Sequence, residues 1–142
     1  MATLTVSITE SITLNEKQRG GTTTVDITGV NYVDDRIVKV GTSEQSVILF
    51  DTNEAAGQFK DTQVDYLRIT NLSTTNFITL RMTAGNDEYF VKVPAGDSFV
   101  LFDTTMDADS ASGVATASLA NIDSIKAVAD TAACDVEIFV AQ

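Results

Sequence analysis

The chain has 142 residues, a formal net charge of −11 and an isoelectric point near 4.1, and this length is enough for one domain or for one domain with an arm. So acidic a surface repels phosphate backbones and anionic lipid headgroups, which argues against nucleic-acid and membrane partners. The sequence has no His and one Cys, which excludes a His-based nucleophile system, a His-ligated metal and an internal disulfide.

No catalytic, cofactor-binding or metal-binding motif is visible, so we expect a protein that is not an enzyme and that needs no cofactor. Thr, Val and Ile number 20, 15 and 10, almost a third of the chain. These β-branched residues are stiff at χ1 and suit a pleated, half-buried surface. The composition therefore predicts an all-β fold.

In chain order, the first element has a period of two. Leu4, Val6 and Ile8 alternate with Thr and Ser, and Ile12 and Leu14 continue the pattern, which predicts a strand with one buried face. The segment 1–14 is read as the first strand of the chain's own sheet, or alternatively as an arm that joins a neighbour's sheet. It lacks the basic and apolar regions of a secretory signal. Residues 15–21 form a predicted turn around Gly20-Gly21, and 22–28 the returning strand.

The middle and the end of the chain carry further strand signals. Asp34-Asp35 is predicted to be a tight hairpin or bulge, and 46–51 a strand buried on both faces. Residues 66–71, 77–82, 88–93 and 98–102 predict an antiparallel meander, and 124–129 with 135–141 a closing hairpin. The total of about ten short strands predicts a single antiparallel β-sandwich or jelly-roll-like domain over 1–142.

Four local motifs have a functional and a structural interpretation. Tyr32 to Asp35 matches the YxDD turn of polymerases, but a solvated hairpin tip is the better interpretation because a basic template channel is missing. Asp107 to Gly113 suggests a calcium loop, but its ligand register fails, and a solvated acidic loop is preferred. Asn71 begins a glycosylation sequon that we read as coincidental, and Cys134 is read as a free thiol or a small core residue.

Three segments carry a resemblance to a known group of proteins. They are the opening MATLTVSITESITLN with the Arg19-Gly20-Gly21 turn, the stretch from Val64 to Phe102 and the closing IDSIKAVADTAACDVEIFVAQ. Together they resemble virion structural proteins of marine tailed phages, including those of cyanobacteria. The resemblance implies a small β-sandwich component of the virion, assembled in the host cytoplasm, with no enzymatic residues.

The expected function is that of a capsid decoration (cement) protein. Such a protein, expected here as a homotrimer, would bridge subunits of the major capsid protein and stabilise the head. A neck, tail or fibre-associated component is the first alternative. The second is a carbohydrate- or receptor-binding module that uses Tyr32, Tyr66 or Tyr89.

Overall fold

The computed structural model describes residues 1–53, 55, 57–106 and 119–142, and in these residues the fold is all-β without a helix. The strands are β1 (Ala2–Thr9), β2 (Ile12–Leu14), β3 (Lys17–Arg19), β4 (Thr22–Val30), β5 (Val33–Val40), β6 (Gln45–Asp51), β7 (Gln58–Lys60), β8 (Tyr66–Asn71), β9 (Ile78–Ala84), β10 (Asp87–Val93), β11 (Ser98–Leu101), β12 (Thr105–Met106), β13 (Ala120–Asn121), β14 (Ser124–Ala129) and β15 (Cys134–Ala141).

The body of the molecule consists of two large sheets and a short separate pair, β12 with β13. Sheet A has the strand order β10-β9-β14-β6-β7, and sheet B has the order β11-β8-β15-β5. Every pairing in them is antiparallel except that of β6 with the short β7, which is parallel. The predicted all-β, mainly antiparallel architecture is therefore confirmed.

Both sheets contribute to one hydrophobic core. Sheet A supplies Ile48, Leu80 and Ile125, and sheet B supplies Leu67 and Ile138, all essentially inaccessible to solvent. In β8, β9, β14 and β15 buried residues recur at every second position, as expected for strands with one face on a core. The alternate residues of sheet B form its second face, here called the outer face of sheet B.

Two predicted connections are wrong because successive strands change sheet. The segments 66–71, 77–82, 88–93 and 98–102 do not form a meander: β9 and β10 pair, but β8 and β11 lie in the other sheet. The closing hairpin is wrong for the same reason, since β14 belongs to sheet A and β15 to sheet B. Packed sheets are only about 10 Å apart, so a short loop can cross between them as readily as it turns within one.

The predicted hairpin or bulge at Asp34-Asp35 is also wrong. Both residues lie inside β5, which is an uninterrupted edge strand of eight residues. Asp34 accepts an ion-pair hydrogen bond from Arg36, on the same face of the strand, and this pairing satisfies charges that the sequence pattern assigned to a solvated tip. The 46–51 strand exists, but Leu49 and Asp51 are exposed, so it is not buried on both faces.

The first thirty residues form a separate two-stranded ribbon. β1 pairs with β4, and β2 pairs with β3, and neither pair belongs to sheet A or sheet B. The register is the same on both sides of the interruption at residues 10–11 and 20–21, because Thr9 faces Thr22 and Ile12 faces Arg19. At about 3.3 Å per residue, each edge of this ribbon (residues 2–30) is about 40 Å long.

The turn of the ribbon is shorter than predicted. It consists of Asn15 and Glu16, with φ angles of 52° and 62°, so the chain reverses in two residues with a left-handed backbone at both. Asn is one of the few non-glycine residues that adopts this conformation readily. Gly20 and Gly21 therefore lie in the returning edge and not in the turn.

Asn71 holds the loops at one end of the body together. Its side chain is fully buried, and its Nδ2 donates to the carbonyl oxygens of Asn76 at 2.8 Å and Pro94 at 3.1 Å. Its Oδ1 accepts from the amide of Ser73 at 3.1 Å. A side chain so enclosed cannot carry a glycan in the folded protein, so the sequon has a structural role.

Replacing Asn71 with Ala should lower the free energy of unfolding by about 3 kcal/mol, because several buried carbonyl groups lose their donor. Chemical denaturation of the purified protein measures the change. Asn53→Ala, at an exposed loop residue, is the control and should shift stability by less than about 0.5 kcal/mol. Equal stabilities of the two variants would contradict this role of Asn71.

Candidate interaction surface

The two faces of the ribbon differ in chemistry. On one face, the apolar face of the ribbon, Leu4 lies opposite Ile27 and Val6 opposite Val25, and Ile8, Ile12 and Leu14 continue the same alternation toward the turn. The other face carries only polar side chains opposite one another, from Thr3 and Thr28 to Thr13 and Gln18. A shift of the register by one residue would mix the two sets, so the pairing itself creates the apolar face.

The polar face is held by hydrogen bonds between side chains of opposite strands. Thr5 Oγ1 donates to Asp26 Oδ1 at 2.7 Å, and the hydroxyls of Thr9 and Thr22 are 3.0 Å apart. Near the turn, Thr13 Oγ1 donates to Gln18 Oε1 at 2.8 Å. These bonds span the ribbon along most of its length and favour a single register.

The base of the ribbon packs on the outer face of sheet B. Leu4, Val6 and Ile27 are half-buried against a second hydrophobic cluster, whose centre is Tyr66 and Ala141. The same cluster includes Phe139 and Val100, and the Tyr66 ring packs edge-on against those of Phe139 and Phe102, with centroids 6.0 and 5.4 Å apart. The base of the ribbon thus adds a third layer over part of sheet B.

Beyond this contact the ribbon is uncovered. All residues from 7 to 26 are exposed, and the apolar side chains among them keep large accessible fractions: Val25 42%, Ile8 47%, Leu14 51% and Ile12 57%. A two-stranded ribbon without a packed face is only marginally stable in water. Several large exposed apolar side chains on one face of such an element are typical of a site that contacts another molecule.

The ribbon and the body differ in net charge. Residues 1–30 contain three carboxylates and two cations, a net charge of −1, so the rest of the chain carries −10 of the total −11. The two cations, Lys17 and Arg19, face Leu14 and Ile12 across the ribbon, and neither takes part in an ion pair within the part of the chain that is described. The part of the apolar face nearest the turn therefore carries two free cations, while one carboxylate, Glu10, lies on the same face between Ile8 and Ile12.

A second exposed apolar area lies on the edge strand β5. Ile37 is 63% exposed and Val33 is 48% exposed, both on the outer face of sheet B beside the area that the ribbon base covers. Between and next to them lie the exposed carboxylates of Asp35 and Asp135, with Lys39 opposite Asp135. We call this area, residues Val33, Asp35, Ile37, Lys39 and Asp135, the β5 flank.

A cavity of 610 Å³ opens near the base of the ribbon. Four of the lining residues have amide side chains, namely Asn31, Gln58, Gln63 and Gln142. Two rings, those of Tyr32 and Phe59, also line it, with their centroids 6.3 Å apart. Two lining residues of opposite charge, Arg36 and Asp65, balance each other, so this combination of rings and hydrogen-bonding groups can hold a polar ligand without net charge.

The motifs singled out in the sequence do not assemble into a metal site. Asp34 and Asp35 lie on opposite faces of β5, so their carboxylates cannot share one metal ion. Among residues 1–53, 55, 57–106 and 119–142, no group of three potential ligands is close enough to hold a metal. The predicted loop at Asp107 to Gly113 lies outside the described residues.

The three tyrosines proposed for ligand binding lie in different environments. Tyr32 lines the cavity and Tyr89 is exposed on β10 at the edge of sheet A, whereas Tyr66 is buried under the ribbon base. Tyr66 therefore serves packing and cannot contact a glycan. Cys134 is a buried free thiol, as the core interpretation predicted.

Sequence reasoning found the strands of the ribbon but missed two parts of the surface. It predicted 22–28 as the strand that returns from the first element, which the pairing of β1 with β4 confirms, but it did not predict that this pair lies outside the two sheets or that the pairing continues through 17–19. It also missed Val33 and Ile37, because their alternation inside β5 was interpreted as two short segments around a hairpin.

A comparison of the chain with protein-family models, curated proteins and solved structures finds no match. The described residues contain no helix that could span a membrane. Function is therefore inferred from the geometry of this chain and from the resemblance noted in its sequence.

Gly20 is required for the distal half of the ribbon. Its φ is 98°, and a Cβ atom there would lie 2.3 Å from the carbonyl oxygen of Glu10, whereas a Cβ at Gly21 meets nothing within 4 Å. Gly20→Ala should raise the hydrogen-exchange rates of the amides in residues 10–19 by at least about tenfold, because the ladder must open to relieve the contact.

The matched control is Gly21→Ala, which should leave these rates within about threefold of the native values. Exchange in sheets A and B should not change in either variant, since the body has its own core. Equal protection of residues 10–19 in the two variants would show that the ribbon does not need the glycine.

Proposed function

We propose that this chain is a structural component of a virus particle, a capsid decoration protein that acts through protein contacts and not through catalysis. The observation that carries the proposal is the ribbon: twenty consecutive exposed residues, apolar on one face, on a body that is strongly acidic. Such a projecting apolar element is of use to a protein that binds other chains. The resemblance to virion structural proteins of tailed phages supplies the biological setting.

We also propose that the body is a jelly roll. The supporting observation is the order of its eight longer strands, β5-β15-β8-β11 in one sheet and β6-β14-β9-β10 in the other. In this arrangement each strand from the first half of the body pairs with a strand from the second half, in reverse order along the chain. The pairs are β5 with β15, β6 with β14, β8 with β11 and β9 with β10. A double-sheet roll of eight strands with this nesting is used by many capsid proteins.

Decoration would stabilise a capsid by burying surface across subunit junctions. A standard protein interface buries about 1,600 Å² in total, and several such contacts from one oligomer add through avidity. A homotrimer over a junction of major capsid protein subunits would present three copies of each contact surface at once. Separating the subunits would then expose all of that surface to water.

Particles assembled without this protein should release DNA at a temperature at least about 5 °C lower than complete particles, because the contacts that bridge subunits are lost. Dye-detected DNA release during heating measures the difference, and adding the purified protein back is the control. Unchanged release temperatures would contradict a stabilising role.

Densitometry of the same particles distinguishes decoration from the alternative of a neck, tail or fibre-associated component. Decoration requires copy numbers comparable to those of the major capsid protein, whereas a neck or tail ring requires few copies. Absence of the chain from purified particles would contradict both structural roles.

A second candidate function, carbohydrate binding, is favoured by the cavity alone. Sugar hydroxyls match side-chain amides that donate and accept hydrogen bonds, and an exposed tyrosine ring can stack on a sugar. If this function holds, binding to a glycan array should fall by about tenfold or more in Tyr32→Ala and stay unchanged in Tyr89→Ala, which lies outside the cavity. No binding by the native protein would remove this candidate.

A further inference from the structure

We propose that the exposed ribbon binds a second copy of this chain, and that the distal ribbon of one copy docks on the β5 flank of the next. This inference does not rest on the proposed function, because it concerns the purified chain alone. It rests on three properties of the described surface: continuity with the contact at the base, charge and size.

The first property is continuity with a contact that the molecule already makes. Leu4, Val6 and Ile27 use the apolar face of the ribbon to pack on the outer face of sheet B. Ile12 and Leu14 continue that apolar face beyond the body, and Ile37 continues the outer face of sheet B beyond the ribbon base. Each copy therefore has two exposed surfaces, the distal ribbon and the β5 flank. The flank belongs to the same face of sheet B that the base of the ribbon already contacts.

The second property is charge. Lys17 and Arg19 flank the exposed Leu14 and Ile12, and one carboxylate, Glu10, lies on the same face farther from the turn. On the other surface Asp35 and Asp135 flank Ile37, with one cation, Lys39, on the same flank. A contact between ribbon and flank therefore brings opposite charges to its rim, which favours the correct partner. A contact between two bodies would instead bring together two parts of the molecule that each carry a net charge of −10, and these repel each other.

The third property is size. A standard interface uses about 20 to 30 residues from each partner. Of the uncovered residues 7–26, nine lie on the apolar face that docks, and the β5 flank adds five, so a reciprocal contact uses about 14 residues of each copy, which corresponds to a small interface. Since the ribbon and the flank are different surfaces, two copies can exchange ribbons reciprocally, or a larger number can close a ring in which each ribbon reaches the next copy.

The first experiment measures the mass of the full chain in solution by light scattering after gel filtration. The native protein should form a closed oligomer, a small multiple of 15.2 kDa. Ile12→Asp, in the apolar face, should weaken association by at least about thirtyfold. Ser11→Asp is the matched control: it adds the same charge at the preceding residue, on the polar face, where a carboxylate can still accept the hydrogen bond from Gln18 Nε2, and it should leave the oligomer intact.

The second experiment identifies the surface that receives the ribbon. A Leu14→Cys preparation is mixed with an Ile37→Cys preparation of different mass, and mild oxidation should join the two chains by a disulfide. The native Cys134 is buried and does not compete. Thr13→Cys mixed with Ile37→Cys is the control and should give at most about a tenth of that product.

A native protein that stays monomeric at about 1 mM would overturn the inference, and so would an oligomer that survives Ile12→Asp unchanged. If both Asp variants dissociate the oligomer, the disulfide decides: its formation between Leu14→Cys and Ile37→Cys supports the inference, and its absence overturns it. Oligomers with no such disulfide would show that a different surface holds the copies together.

Discussion

The register between residues 2–14 and 17–30 is the constraint on which the surface of this molecule depends. A two-residue turn with both φ angles positive closes the ribbon, and no residue is inserted between the turn and the pair of Thr3 with Thr28. Because side chains alternate with a period of two, this one register places every large apolar residue on the same face. The ribbon has an apolar face and a hydroxyl-rich face only because of it.

The consequences of this register differ along the ribbon. At the base, the apolar face meets Tyr66 and Phe139 and becomes half-buried, so the ribbon is attached to the body by ordinary hydrophobic packing. Toward the turn the same face has no such support, and the hydrogen bonds of the polar face are exposed to water, where each contributes little to stability. The ribbon thus has a base that is packed on the body and a distal half that the described part of the body does not support.

Much of the fold could be predicted from the sequence because strand periodicity is a local property. The alternation in Tyr66–Asn71 and Ser124–Ala129 gave these strands their bounds, and the β-branched composition gave the all-β class. The pairing of strands could not be obtained this way, since a strand that packs on a core has the same pattern whichever sheet it joins. That is why the meander and the closing hairpin were wrong.

The surface was less predictable than the core, again for physical reasons. The glycine pair suggested a turn at Gly20-Gly21, but the turn is formed by Asn15 and Glu16. Gly20 is needed instead because the backbone of Glu10 approaches it closely. The pair Asp34-Asp35 suggested a polar tip, but the ion pair with Arg36 lets the acidic dipeptide continue an edge strand. At Gly20 the deciding contact comes from the opposite edge of the ribbon, and at Asp34 it comes from Arg36, two residues along the same strand.

The edge strand β5 connects these observations to assembly. An eight-residue edge with exposed Val33 and Ile37 is the kind of element that natural proteins protect against indiscriminate pairing, and the charges at Asp35 and Lys39 are one such protection. A ribbon from a second copy, laid on the β5 flank, would cover these apolar side chains and at the same time bury the side chains that the distal ribbon leaves exposed. The distal ribbon and the β5 flank, which both expose apolar side chains in a single chain, would then stabilise each other. An interface of this kind binds only a partner that has the complementary surface.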